Sequence, residues 1–132
     1  MATLEVHVVS PEREVYSGEA DMVVAKGTDG DVGILPSHAP MLISLAVAPV
    51  RIIQPEGERT VLVDGGFLHV TPGEESTRVE VLAERADLPE EVDVAAAKAR
   101  VEELRRRADL EEEAELKAEL ARALMLAEHG TG

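Results

Sequence analysis

Four histidines are the obvious candidates for metal chemistry, and their spacing argues against it. His7, His38, His69 and His129 are scattered, no two stand four apart on a helix, and the chain has no cysteine to complete a thiolate site. The run Gly27-Thr28-Asp29-Gly30-Asp31-Val32-Gly33 has the G-x-x-G-x-x-G spacing of a backbone that could cradle phosphate. It lacks the Gly-Lys-Ser/Thr ending and the following helix, and Asp29 and Asp31 would repel the anion. The bidentate glutamate and remaining ligands of a calcium loop are also missing. The run therefore reads as a tight inter-strand loop. There is no G-x-S-x-G elbow and no thiol for nucleophilic catalysis, so the residues call for no enzyme and no cofactor. Positive charge gathers at Arg105-Arg106-Arg107, with Lys98, Arg100 and Arg122 nearby in sequence. Successive helical residues diverge by about 100°, so one or two of the three arginines can face an acidic partner. The others are left for local pairs such as Glu102 with Arg106. The same residues also suit the C-terminal end of a helix dipole, and both readings stand.

The elements that would carry these residues divide near residue 87, where the hydrophobic period changes. Before it the period is two: Leu4, Val6 and Val8 alternate with Thr3, Glu5 and His7, and Val79 and Val81 alternate with Arg78 and Glu80. Apolar runs at 22–25, 41–47, 50–53, 61–63 and 67–70 are strand-length and rich in β-branched residues. Ser10-Pro11, Gly27 to Gly33, Pro55-Glu56-Gly57, Asp64-Gly65-Gly66 and Thr71-Pro72-Gly73 separate them with turn chemistry, and Asp64-Gly65 reads as a hairpin turn. Such a pattern predicts a flattened β-sandwich or barrel over residues 1–87. Beyond it, Val94, Ala97, Val101, Leu104 and Ala108 form one helical stripe and Leu116, Leu120, Ala123 and Ala127 a second. The first helix starts after Asp87-Leu88-Pro89 or after Asp93 acting as cap. Asp109, with Glu112 three residues on, is placed to cap the second, which opens on Glu111 to Glu113. Residues 88–132 are thus expected to form an antiparallel helical hairpin.

Composition narrows the partners. The chain has 132 residues and a formal charge of −14, which excludes nucleic-acid binding through clustered cations and disfavours an anionic membrane surface. With one Phe, one Tyr and no Trp, the core must be built from Val, Ile, Leu and Ala. The N-terminus lacks the features of a signal peptide, and no apolar run approaches the ~20 residues that span a bilayer, so a soluble cytoplasmic protein is expected.

The segment Gly30-Asp31-Val32-Gly33-Ile34-Leu35-Pro36-Ser37-His38-Ala39-Pro40 resembles the G-x-x-G-I-x-P-x-H-x-P signature of F-type ATP synthase epsilon subunits. Leu4 to Ser10, Val15-Tyr16-Ser17-Gly18, Val63-Asp64-Gly65-Gly66-Phe67-Leu68 and Val81-Leu82-Ala83-Glu84 follow the same family in order. The resemblance implies a non-catalytic central-stalk subunit on the cytoplasmic face of the cell membrane. In that setting residues 1–87 pack on the gamma subunit and touch the c-ring, coupling proton translocation to ATP synthesis. Residues 88–132 fold down or extend towards the alpha and beta catalytic subunits, where Arg105, Arg106 and Arg107 could inhibit ATP hydrolysis. Asp31 and His38 match the family's c-ring and gamma contact. As a short exposed carboxylate, Asp31 either accepts hydrogen bonds from polar groups on a ring loop or is a solvated turn residue. Some relatives bind ATP through an Ile/Leu-Asp-x-x-Arg-Ala motif. Here Asp93 is kept but Ala96 replaces the arginine, leaving Asp93 as a cap and no nucleotide donor. The competing reading is a free-standing β-sandwich binding module with a helical dimerisation hairpin.

Overall fold

The computed structural model describes residues 3–108 and 114–132. They fall into two compact units, divided between Asp87 and Leu88. The first is a seven-stranded sheet: β1 (Thr3–Val9), β2 (Glu14–Ala20), β3 (Met22–Gly27), β4 (Gly30–Ile34), β5 (Met41–Gln54), β6 (Gly57–Thr71) and β7 (Ser76–Asp87). Their order is β2-β1-β7-β6-β5-β3-β4, with β1 and β7 parallel and every other pair antiparallel. Alternation does what the pleat requires: Leu4, Val6 and Val8 of β1 and Thr77, Val79, Val81 and Ala83 of β7 point inward and are buried.

Two expectations at the strand level are overturned. The runs 41–47 and 50–53 belong to one fourteen-residue strand, and 61–63 and 67–70 to one fifteen-residue strand. Asp64-Gly65 is therefore no hairpin turn. The hairpin joining β5 to β6 lies at Pro55-Glu56, between the paired Gln54 and Gly57. At Gly65 the ladders to both neighbouring strands skip a pair and resume in register, while Gly65 and Gly66 take positive φ values of 70° and 117°. β6 bends there without ending. A Cβ on Gly66 would lie 2.1 Å from the Leu82 carbonyl oxygen, so no other residue fits. Pro49 is tolerated inside β5 because β3 pairs with β5 only at Met22 to Val24 and at Gly27, leaving 46–50 without a ladder on that side. The edge strand β2 reaches back to the end of β5, where the Gln54 side-chain amide donates to the Tyr16 hydroxyl at 2.7 Å, and at the β2–β3 corner the Asp21 amide donates to the Ile53 carbonyl at 2.8 Å. β2 and β4, not foreseen as strands, complete the sheet; part of the glycine run is β4.

The second unit opens with a 3₁₀ turn, Pro89–Glu91, followed by α1 (Val94–Ala108) and α2 (Ala114–His129). Asp93 caps α1, its Oδ1 accepting from the Ala96 amide at 3.0 Å. Val101, Leu104, Leu116 and Ala123 form the seam between the helices, with Leu120, Leu124 and Ala127 partly buried against it. Arg100 of α1 donates to Glu119 of α2 at 2.8 Å across the pair. The expected cap at Asp109 with Glu112, and the acidic run Glu111 to Glu113, lie outside the described residues.

Candidate functional site

Asp31 and His38 sit on one continuous segment, the first inside β4 and the second in the loop that follows. β3 and β4 form a hairpin around Thr28-Asp29, which pairs Asp31 with Lys26 and leaves the Asp31 side chain exposed. Gly30 supplies the positive φ of 137° at the turn. Beside the hairpin a depression of about 350 Å³ is lined by Asp29, Asp31, Val32, Leu42 and Ser44.

The loop beyond β4 is fixed by a residue that the motif does not contain. Ser37 holds a left-handed φ of 69°, strained for a residue with a side chain, and its amide donates to the Thr77 Oγ1 at 2.8 Å. Thr77 is the buried polar residue of the described core, on the inner face of β7. The His38 amide donates to the Leu35 carbonyl, closing the turn, and the His38 Nδ1 donates to the Ala39 carbonyl at 2.7 Å. That bond assigns Nδ1 the proton in the neutral ring and leaves Nε2 as the acceptor. His38 is half-buried and Leu35 beside it is exposed.

A second feature lies on the outward face of β1, β7, β6 and β5. In register across the strands run Val9, Leu82, Phe67 and Ser44 in one row and His7, Glu80, His69 and Leu42 in the next. Phe67 and Leu82 keep 50% and 48% of their surface exposed. Beside them Val9, Pro11, Gly66 and Ala83 help line an apolar groove of about 380 Å³. Isolated exposed apolar residues are ordinary, but paired neighbours flanking a groove mark a surface built to be covered. At the edge of this face the His7 Nε2 lies 2.8 Å from Glu5 and its Nδ1 lies 3.2 Å from both Glu14 and Ser17. The hydrogen bond to Glu5 raises the His7 pKa, against the opposing effect of burial.

Arg105, Arg106 and Arg107 are exposed at the end of α1, and none is ion-paired to a described carboxylate, so the expected Glu102–Arg106 pair is not formed. Arg100, grouped with them in sequence, is committed to Glu103 and Glu119 inside the hairpin. Lys98 is exposed and Arg122 half-buried. Among the described residues no set of His, Asp and Glu side chains could hold a metal ion.

Residues 3–89 match the family model for the ATP synthase Delta/Epsilon chain, beta-sandwich domain. The ATP synthase epsilon chain of Brevibacillus brevis is 48% identical over 101 residues, covering 75% of this chain and 73% of its own. That of Thermobifida fusca is 48% identical over 99 residues, covering 73% and 70%. The chain belongs to the ATP synthase epsilon-chain family. In architecture it is similar to a chain of the Euglena gracilis mitochondrial ATP synthase, solved with OSCP, F1 and c-ring. The TM-score is 0.80 at 19% identity, over 96% of this chain and 80% of that one. As an epsilon-family chain it is a non-catalytic subunit of the synthase.

The epsilon-family motif leads directly to Asp31 and His38. It does not lead to Thr77, although a threonine at an inward position among Val79, Val81 and Ala83 was a visible sign of a buried polar contact. Nor does it mark the Phe67–Leu82 pair, which becomes a surface only through the β6–β7 register.

Proposed function

We propose that this chain is a central-stalk subunit of a rotary ATP synthase, peripheral to the cytoplasmic face of the cell membrane. Its sheet docks on the gamma subunit and presents Asp31 and His38 towards the c-ring, helping to couple proton translocation to ATP synthesis. Its helices act on hydrolysis by the alpha and beta subunits. The observation that carries the docking is the apolar face around Phe67 and Leu82, where these two side chains and Leu42 in the next row are exposed in the isolated chain. Supporting it, the epsilon-family relatives are synthase subunits, and no helix among the described residues is long and apolar enough to cross a membrane. The test is a double substitution, Phe67→Glu with Leu82→Glu, assayed for assembly with gamma. Because both side chains already face solvent, the sheet should keep its melting temperature while co-purification with gamma is lost. Assembly at wild-type levels would remove this face from the interface.

A further inference from the structure

The helical unit is closed at three places, and the third has no counterpart in the seam. At one end α1 and α2 are joined by the chain between Ala108 and Ala114; in the middle they share the apolar seam and the Arg100–Glu119 pair. At the other end, residues 130–132 turn back from α2 onto the 3₁₀ turn that precedes α1. The Thr131 amide donates to the Pro89 carbonyl at 2.8 Å and the Gly132 amide to the same oxygen at 3.1 Å. The Val92 amide approaches that oxygen at 3.3 Å, so Pro89 carries an acceptor shared by both ends of the unit. The Gly130 amide meanwhile continues the helix pattern to the Leu126 carbonyl at 2.9 Å.

Close approach is what makes this contact. A Cβ on Gly130 would fall 2.7 Å from the Val92 Cγ1 and 2.6 Å from the Leu126 oxygen. On Gly132 it would fall 2.4 Å from the Val92 carbonyl oxygen and 2.6 Å from that of Glu90. Both glycines are thus required by packing, at φ values that other residues could adopt. Val92, against which Gly130 rests, is buried.

We propose that residues 130–132 form a latch that holds the helical hairpin closed by tying the end of α2 to the Pro89–Val92 segment. With the latch engaged, the end of α2 cannot leave the start of α1. Released, the end of α2 loses its two hydrogen bonds to the Pro89 carbonyl, which favours swinging or fraying of its last turns. Hydrogen bonds in water are individually weak, so the latch opens and recloses readily. Its consequence for hydrolysis rests on the central-stalk reading above; the closure itself does not.

Hydrogen exchange on the full chain tests it, using Thr131→Pro, which deletes one donor outside the helix, and Gly130→Val, which collides with Val92. The expected result is exchange at least about tenfold faster at amides 92–97 and 124–130 in both variants, with the sheet unchanged. Should Gly130→Val disorganise α2 wholesale, Thr131→Pro alone decides. Exchange within about twofold of wild type in Thr131→Pro overturns the latch. Hydrolysis by the complex reconstituted with Thr131→Pro is the second arm. Faster exchange with unaltered hydrolysis supports the latch and counts against a regulatory role for the helices.

Discussion

A single side chain sets the geometry of the loop that follows β4, and its removal gives a sharp prediction. Thr77→Val keeps shape and volume inside the sheet but takes away the acceptor for the Ser37 amide, which sits in a left-handed conformation. The loss should be about 1–2 kcal/mol, read by urea denaturation, together with faster exchange at Ser37 and His38. Unchanged stability and exchange would mean the loop is held by its prolines alone. A second residue-scale prediction concerns His7. Its ring faces Glu5 on its own strand, Glu14 and Ser17 on β2, and Glu80 and Arg78 on β7, so carboxylates meet both nitrogens. The Glu5 hydrogen bond raises His7 above its ordinary 6.5, and the same bond lowers Glu5 below its ordinary 4.5. The His7 contribution is therefore complete below pH 6.5 and lost as pH rises through its folded pKa. The Glu5 contribution is present above pH 4.5 and lost as pH falls through its own lowered value. Wild type should exceed His7→Gln in stability most clearly between these limits, and the gap should close on the alkaline side. A pH-independent difference in melting temperature would show that the pair does not titrate as argued.

At the scale of elements, the β6 bend at Gly65-Gly66 keeps the long strand continuous while changing its direction. Gly66→Ala would place a methyl against the Leu82 carbonyl at an unfavourable φ, and is expected to cost about 3 kcal/mol or more, a large share of a typical domain's stability. Melting near wild type would show that the bend can move elsewhere. This element also shows where reading the sequence stops. The strand–helix switch at residue 87, the inward set of β1 and the seam of α1 and α2 were legible, because burial on one face imposes a period on the chain itself. Asp64-Gly65 was misread because a hairpin turn and an internal bend ask for the same residues. The difference lies in which strands flank the glycines, and that is fixed by Met41 to Gln54 some distance away. The runs 41–47 and 50–53 were read as separate for a similar reason: only the lapse of β3 pairing makes room for Pro49 between them within one strand. Asp31 and His38 were legible as a motif, whereas the Phe67–Leu82 face depends on register and was not.

For the molecule as a whole, Arg105, Arg106 and Arg107 have two competing roles that one experiment separates: reaching an acidic surface of the catalytic subunits, or complementing the end of α1. All three are exposed, and the hairpin's own pairing assigns Arg100, not these three, to holding α1 against α2. Changing all three to Ala should therefore leave the seam of Val101, Leu104, Leu116 and Ala123 intact. We propose that it weakens braking. One or two exposed contacts of up to about 1 kcal/mol each correspond to a hydrolysis rate raised by up to about fivefold for one and about thirtyfold for two at low salt. High ionic strength screens such contacts, so wild type and variant should converge there. The dipole role predicts another pattern, a small loss of helix stability with no salt-dependent change in hydrolysis. Measuring hydrolysis by the reconstituted complex at both salt concentrations, alongside helix content by circular dichroism, separates them. If the triple variant, the wild type and a chain lacking residues 88–132 all hydrolyse ATP alike at low salt, the helices do not brake the motor, and the exposed arginines serve α1 alone.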